Sequence, residues 1–288
     1  MPPGGEARPD APDPFAAWVS DLETRHLSPL GVPAVRRGIQ ALSTIYVERR
    51  TSLARGAALD GDGKRAAFAL FYAPLHFLAA RFAARALGAA NPPPSRILDL
   101  GCGTLAAGAA WAIEAAGRPA LVGVERQAWA VEEARRTVRA LGLSGYARRG
   151  DALRTPLPGA GGAIVAGWLA NEIGEDGRVR LLPRLLDAAA RGARILVLEP
   201  IAERLSPWWD GWAEAVLAAG GRADLWRFEA DLPEPIRRLD EAAGLDHSEI
   251  TARTLWLPGA HPLAPYAPAG VSSLTSGEIL RHQKTFPR

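Results

Sequence analysis

The sequence predicts an α/β fold, a doubly wound and mainly parallel sheet preceded by a helical segment. Three observations carry that expectation. Short apolar runs between residues 97 and 198 have strand length and little polar alternation, as strands buried on both faces do. Helix-period stretches separate these runs, which gives the βαβα succession of a parallel sheet. The first run ends in Asp99-Leu-Gly-Cys-Gly-Thr104 and leads directly into a helix.

Taken in order, Met1–Pro14 is rich in Pro and Gly and lacks the cationic-then-apolar layout of a signal peptide, so it reads as a disordered start to a cytoplasmic chain. Residues 15–90 read as an N-terminal helical lid, with apolar positions at Val35, Ile39, Leu42 and Tyr46 and again at Phe68, Phe71, Tyr72, Leu75, Leu78 and Phe82. Pro74 kinks or begins one of these helices. Leu59-Asp-Gly-Asp-Gly63 reads as a turn, and no acidic residue follows at the bidentate position a calcium loop requires. Asn91-Pro-Pro-Pro94 makes a stiff, non-helical connector at the start of the core, residues 91–257.

Within the core the expected strands are Ile97–Leu100, Ala120–Val124, Tyr146–Arg149, Ala163–Ala166 and Ile195–Leu198. The expected helices are Ala106–Ala116, Ala128–Leu141 with Val131, Ala134, Val138 and Leu141 on one face, and Arg178–Ala190. Helical stretches around Trp208–Ala219 and Pro235–Ala243 and the alternating run Glu249–Leu257 complete it. Residues 258–288 are rich in Pro, Gly and Ser and read as loop, apart from a short helix or strand near Gly277–His282.

Composition removes several function classes. With 288 residues, 48% hydrophobic and 23% charged, the chain resembles an ordinary soluble globular protein. No stretch of about twenty uninterrupted apolar residues offers a membrane span. A single cysteine excludes an intramolecular disulfide and Cys-based zinc or iron–sulfur sites, and the five histidines show no metal spacing, so no metal is expected. All but Lys64 and Lys284 of the 34 cationic side chains are arginine, and the net charge is +3. The arginines are dispersed, which leaves a polyanionic partner open without pointing to one.

In an open parallel sheet the ligand crevice lies at the carboxyl ends of the strands, near the switch point. There, Gly101 and Gly103 let the backbone turn tightly and approach a ligand without a Cβ clash. A dinucleotide loop continues to a third glycine, whereas Ala106 stands at that place, and Asp99 ahead of the loop repels a pyrophosphate. A cationic or neutral ligand fits better. Glu125, 26 residues after Asp99, ends the second strand, where an acidic side chain accepts hydrogen bonds from both ribose hydroxyls. Asp151 follows the third strand and Trp168-Leu-Ala-Asn171-Glu172 the fourth, so four strand ends carry polar groups at one rim.

This order and spacing resembles class I S-adenosylmethionine-dependent methyltransferases over roughly Arg96–Pro200. Asp99-x-Gly-x-Gly103 is similar to the family's first motif, Glu125 to its ribose-binding acid and Asp151 to its adenine-contacting acid. The resemblance implies S-adenosylmethionine as cofactor, held by Asp99, Gly101, Cys102 and Gly103, by Glu125 and Arg126, and by Asp151, Ala152 and Trp168. Leu105 stands where many members have a third glycine. A narrower resemblance, to the ribosomal small-subunit methyltransferase-like family associated with mitochondrial ribosome assembly, rests on Phe68–Phe77, Ala170-Asn-Glu-Ile173 and Leu198-Glu-Pro200. That family's cluster cysteines are missing here.

Structural readings stand beside these roles. Asp99, favoured near the amino end of the methionine moiety, has a helix cap as its plainer role; Asp151 is equally a turn residue, and Asn171 and Glu172 equally an N-cap for the next helix. Cys102 reads as a small buried filler, and Arg148 and Arg149 as a solvated pair. Trp208 and Trp209 either form a core cluster or, with Asn171 and Glu199, bind the substrate. Methyl transfer from a sulfonium is an in-line displacement that mainly needs alignment; where the acceptor must lose a proton, Glu172, His76 and Tyr72 are the candidate bases. An exocyclic-amine nucleic-acid methylase would show Asn/Asp-Pro-Pro-aromatic in place of Asn171-Glu-Ile-Gly174, and Cys102 is in the wrong loop for attack on cytosine. A small molecule or ribosomal RNA remains as acceptor. A non-catalytic assembly factor that binds cofactor and rRNA is the alternative.

Overall fold

The computed structural model describes residues 13–48, 59–201 and 206–259. Its strands are β1 (Arg96–Leu100), β2 (Ala120–Glu125), β3 (Gly145–Arg149), β4 (Gly162–Gly167), β5 (Arg194–Glu199), β6 (Arg222–Glu229) and β7 (Glu249–Leu257). Its helices are α1 (Pro14–Leu22), α2 (Val32–Glu48), α3 (Asp62–Ala67), α4 (Ala73–Ala86), α5 (Ala106–Glu114), α6 (Ala128–Ala140), α7 (Gly174–Ala190), α8 (Trp209–Ala218) and α9 (Glu234–Ala243). The seven strands form one sheet in the order β3-β2-β1-β4-β5-β7-β6. β1 to β5 run parallel, and β7 enters antiparallel between β5 and β6. Because β1 pairs with both β2 and β4, the chain winds outward in opposite directions from it, and the loops after β1 and β4 part.

The expected doubly wound sheet is therefore present, with two departures. β6 is absent from the expectation because Arg222-Ala-Asp-Leu-Trp-Arg-Phe-Glu229 hides its alternation: one inward position is Asp224, buried beside Trp226. α7 begins at Gly174 rather than Arg178, because Glu175 and Asp176 occupy its first turn, where negative charge is favoured. The segment near Gly277–His282 lies outside the described residues.

Ahead of the sheet, Asp13 caps α1 by accepting from Phe15 N, with Pro14 as the first helical residue. Phe15, Trp18, Val19 and Leu22 then form one buried stripe at helical spacing. α3 and α4 are joined by a π-helical turn, Phe68–Tyr72. Pro74 sits in the first turn of α4, and the wider turn before it accommodates a ring that has no N–H to give. Asp62 and Gly63 of the expected turn are already helical. The run Asp62–Ala86 is long and apolar enough to cross a membrane, but 67% of its apolar window is buried against the rest of the protein.

These helices share one hydrophobic core with α5, α6 and α9 on one face of the sheet; α7 and α8 cover the other. Glu114 of α5 accepts from Arg81 at 2.7 Å and Arg85 at 2.6 Å, and Glu133 of α6 pairs with Arg25 at 2.6 Å and His26 at 3.1 Å. The connector after α4 is pinned at its start: Arg194 donates to the carbonyls of Ala89 and Pro92, and Trp111 also donates to Ala89 O.

Candidate functional site

Where the loops after β1 and β4 part, a cavity of about 750 Å³ opens. Its floor is made by the carboxyl ends of β1, β2, β4 and β5, and its walls by the Phe68–Tyr72 turn, α4 and the start of β7. That volume is in the range of small-molecule and cofactor sites.

The loop after β1 has the conformation its glycines permit. Gly101 (φ 61) and Gly103 (φ 50) are left-handed, and a Cβ on Gly101 would lie 2.5 Å from Leu169 Cδ1. Leu105 is left-handed as well (φ 72), so the backbone keeps at this position a geometry that glycine adopts freely. That conformation costs a leucine about 1 kcal/mol, which full burial of its side chain offsets. Asp99, 1% exposed, accepts from Gly108 N at 2.9 Å in the first turn of α5 while also lining the cavity. Burial pushes its carboxyl up to about 7, against the lowering effect of the Gly108 bond. The Cys102 thiol is raised by burial and by the nearby Asp99 and Glu125, which leaves it inert.

Glu125 is more heavily engaged than its spacing implied. Oε1 accepts from Arg126 N at 2.7 Å and Gln127 N at 2.8 Å, and Oε2 accepts from Gly103 N at 3.1 Å. A carboxylate has about four lone-pair positions. One remains, on Oε2, where the expectation from the sequence needs room for two ligand hydroxyls. Asp151 accepts from Leu153 N and Arg126 Nη2, each at 2.9 Å. It caps the short turn Ala152–Arg154, and its Arg126 and Leu153 bonds hold its carboxyl below the usual range against modest burial. Arg126 and Arg149 stand at the cavity mouth beside it.

The fourth and fifth strand ends form a second network. Asn171 donates from N and Nδ2 to Glu199 at 3.3 and 2.5 Å. Its Oδ1 accepts from Ser206 Oγ at 2.9 Å and Trp208 Nε1 at 3.0 Å. Because an indole N–H only donates, Trp208 fixes which way the amide points. Glu199, 0% exposed, is pushed up to about 8 by burial. Glu172 instead opens to the cavity; enclosure and then the charge of Glu125 raise it toward about 7, and water access through the cavity trims that rise. The described lining includes Asn171, Glu172 and Glu199 but neither Trp208 nor Trp209. Those two indoles pack with Trp212 in the core under α8, so the substrate-binding expectation for them gives way to a structural position.

On the helical wall, His76 stacks on Trp168 with ring centroids 3.6 Å apart. Trp168 is itself held left-handed (φ 56), with its N donating to Leu198 O. Burial drives His76 down to about 3, so it stays neutral and is a weak base. Tyr72 donates to Ile39 O at 3.2 Å and is pushed up to about 12 by burial, which disfavours its anion. Leu245, His247, Glu249 and Ile250 also line the cavity and were not expected from the sequence. The alternation of β7 was visible, but which end meets the cavity depends on its antiparallel direction.

Asp99, Glu125, Glu172 and Glu199 line the cavity; three of them have raised carboxyls that a positively charged ligand would draw into the ionised form, with Arg126 and Arg149 at the rim. Among the described residues no group of His, Cys, Asp and Glu is arranged to hold a metal. No protein-family model and no curated protein sequence matches the chain. Among solved structures, the mitomycin 7-O-methyltransferase MmcR is similar at 18% identity and a TM-score of 0.49, covering 86% of this chain and 73% of that one. A TehB-like SAM-dependent methyltransferase from Corynebacterium glutamicum is 18% identical with a TM-score of 0.40, covering 62% and 87%. The cyclase SpnF is 18% identical with a TM-score of 0.43, covering 64% and 82%. The sheet itself carries the assignment: the order 3-2-1-4-5 with an antiparallel β7 set before β6, the left-handed loop after β1, and an acid closing β2. The chain has the fold of a class I S-adenosylmethionine-dependent methyltransferase.

Proposed function

We propose that the protein binds S-adenosylmethionine at the ends of β1 to β4 and transfers its methyl group to an acceptor seated against the Phe68–Tyr72 turn, α4 and β7. The observation that carries this reading is Glu125. It closes β2 beside the glycine loop, has one lone pair free, and stands in a cavity with three further carboxyl groups. S-Adenosylmethionine brings a sulfonium and an ammonium, which such a lining favours, and no pyrophosphate, which it would repel. When bound, it supplies an activated methyl group. Gly101 and Gly103 give close backbone approach, Glu125 takes a ribose hydroxyl, and Asp151 with Ala152 borders the adenine.

The acceptor is a small molecule or ribosomal RNA; the apolar side chains of the helical wall favour the former. A non-catalytic factor that binds cofactor and rRNA is the competing reading, supported by Arg126 and Arg149 at the mouth. Labelled methyl transfer into a cell extract, fractionated into RNA, protein and small molecules, separates them. Label in the small-molecule or RNA fraction supports transfer; salt-dependent RNA binding with no label in any fraction supports the factor.

A further inference from the structure

His247 lines the cavity beside Phe71, and the fold builds it a partner. α9 ends at a left-handed Gly244 (φ 72), with Leu245 N donating to Asp240 O and Gly244 N to Glu241 O. This helix-ending reversal folds the chain back over its own last turn. His247 consequently lands on Asp240: its N donates to Oδ2 at 2.7 Å, and its ring Nδ1 lies 2.6 Å from Oδ1. Asp240 is 5% exposed and already accepts from the His247 backbone, so in the neutral imidazole the hydrogen belongs on Nδ1, facing Asp240, and the lone pair on Nε2. Phe71 sets its ring edge against the imidazole at 5.5 Å and fixes its plane.

Of the three bases expected from the sequence, Tyr72 donates to Ile39 and His76 is stacked on Trp168, while Glu172 opens to the cavity within the field of Glu125. Around His247 the wall is apolar, with Phe68, Leu75, Leu245 and Ile250. The charged groups near it are Asp240 of α9, Asp246 of the loop, and Glu249 of β7, which pairs with Arg227 at 2.9 Å; the Phe68–Tyr72 turn adds Tyr72.

Resting on the proposed methyl transfer, we infer that His247 is the catalytic base for a hydroxyl-bearing aromatic or apolar small-molecule acceptor, and that Asp240 is its positioning residue. The acceptor's O–H bond breaks, the proton moves to Nε2, and the electron pair left on oxygen makes the new bond to the methyl carbon. The carbon–sulfur pair stays with the departing thioether. The imidazolium formed is paired with Asp240, and the arrangement resembles other carboxylate-oriented histidine bases in its logic.

The test uses the full chain and para-nitrophenol, whose phenolate absorbs where the phenol does not. The expected result is a bound probe that ionises about one pH unit below the free one. H247Q keeps probe binding within about threefold and loses the shift, since a charge partner and not the pocket is removed. D240N keeps its thermal melt, while nitrogen NMR of the ring shows the hydrogen moving from Nδ1 to Nε2. No probe binding by the unmodified chain, no shift, or an equal shift in H247Q overturns the inference. Calorimetry of S-adenosylmethionine on the same samples distinguishes the two levels. Its failure to bind the unmodified chain rejects methyl transfer, whereas binding with a His247-independent probe rejects only the base.

Discussion

Replacing Glu125 by alanine separates its two tasks. In the fold it accepts three backbone amides, from Gly103, Arg126 and Gln127, and so joins the loops after β1 and β2. The Arg126 amide is exposed and water replaces its bond, while the other two are part-buried; a stability decrease of about 1–3 kcal/mol follows. Toward the cofactor it offers one remaining lone pair. A hydrogen bond to a charged acceptor contributes about 1.5–3 kcal/mol, so S-adenosylmethionine should bind roughly ten- to 150-fold more weakly. Glu125→Gln, with one acceptor oxygen instead of two, should fall between. The assay is a calorimetric titration on variants whose urea unfolding shows that they are folded. Affinity within twofold of the unmodified chain in a folded Glu125→Ala protein would refute the placement of the ribose.

Gly103→Arg puts a side chain on a left-handed residue, with its Cβ 3.1 Å from Phe68 Cζ, and should abolish detectable cofactor binding in the same titration while leaving circular dichroism unchanged. Trp208→Phe removes the indole N–H from Asn171 and should lower stability by about 1 kcal/mol without altering cofactor affinity; a changed affinity at unchanged stability would return Trp208 to the binding site. Glu199 has a raised carboxyl in the folded state, about 8 against 4.5 unfolded, so its contribution is complete below about pH 4.5 and is lost as pH rises through 8. Urea midpoints should therefore fall between pH 5 and 8 by on the order of 1–3 kcal/mol, and Glu199→Gln should flatten that slope. An unchanged slope in the variant would assign the pH dependence to the other raised carboxyls, Asp99 and Glu172.

The parts of the fold that were legible are those whose burial is two-sided. β1, β4 and β5 bury nearly every residue, so their runs stand out without alternation. β6 lies at the sheet edge, carries Arg222, Asp224, Arg227 and Glu229, and gives no such run. In the site, Asp99, Glu125 and Asp151 were legible because each directly follows or ends a strand, and parallel strands deliver their carboxyl ends to one rim. His247 was not, because its partner Asp240 is brought to it by the reversal at Gly244, which has no sequence spacing of its own. The indoles of Trp208 and Trp209 read as pocket or core alike until the amide of Asn171 was seen to be held by one of them.

What the cavity accepts decides between a sulfonium cofactor and a dinucleotide. A calorimetric titration of the unmodified chain with S-adenosylmethionine, and separately with a nicotinamide dinucleotide, tests that most directly. Micromolar binding of the first and none of the second is the predicted result. Binding of the dinucleotide without binding of S-adenosylmethionine would contradict it.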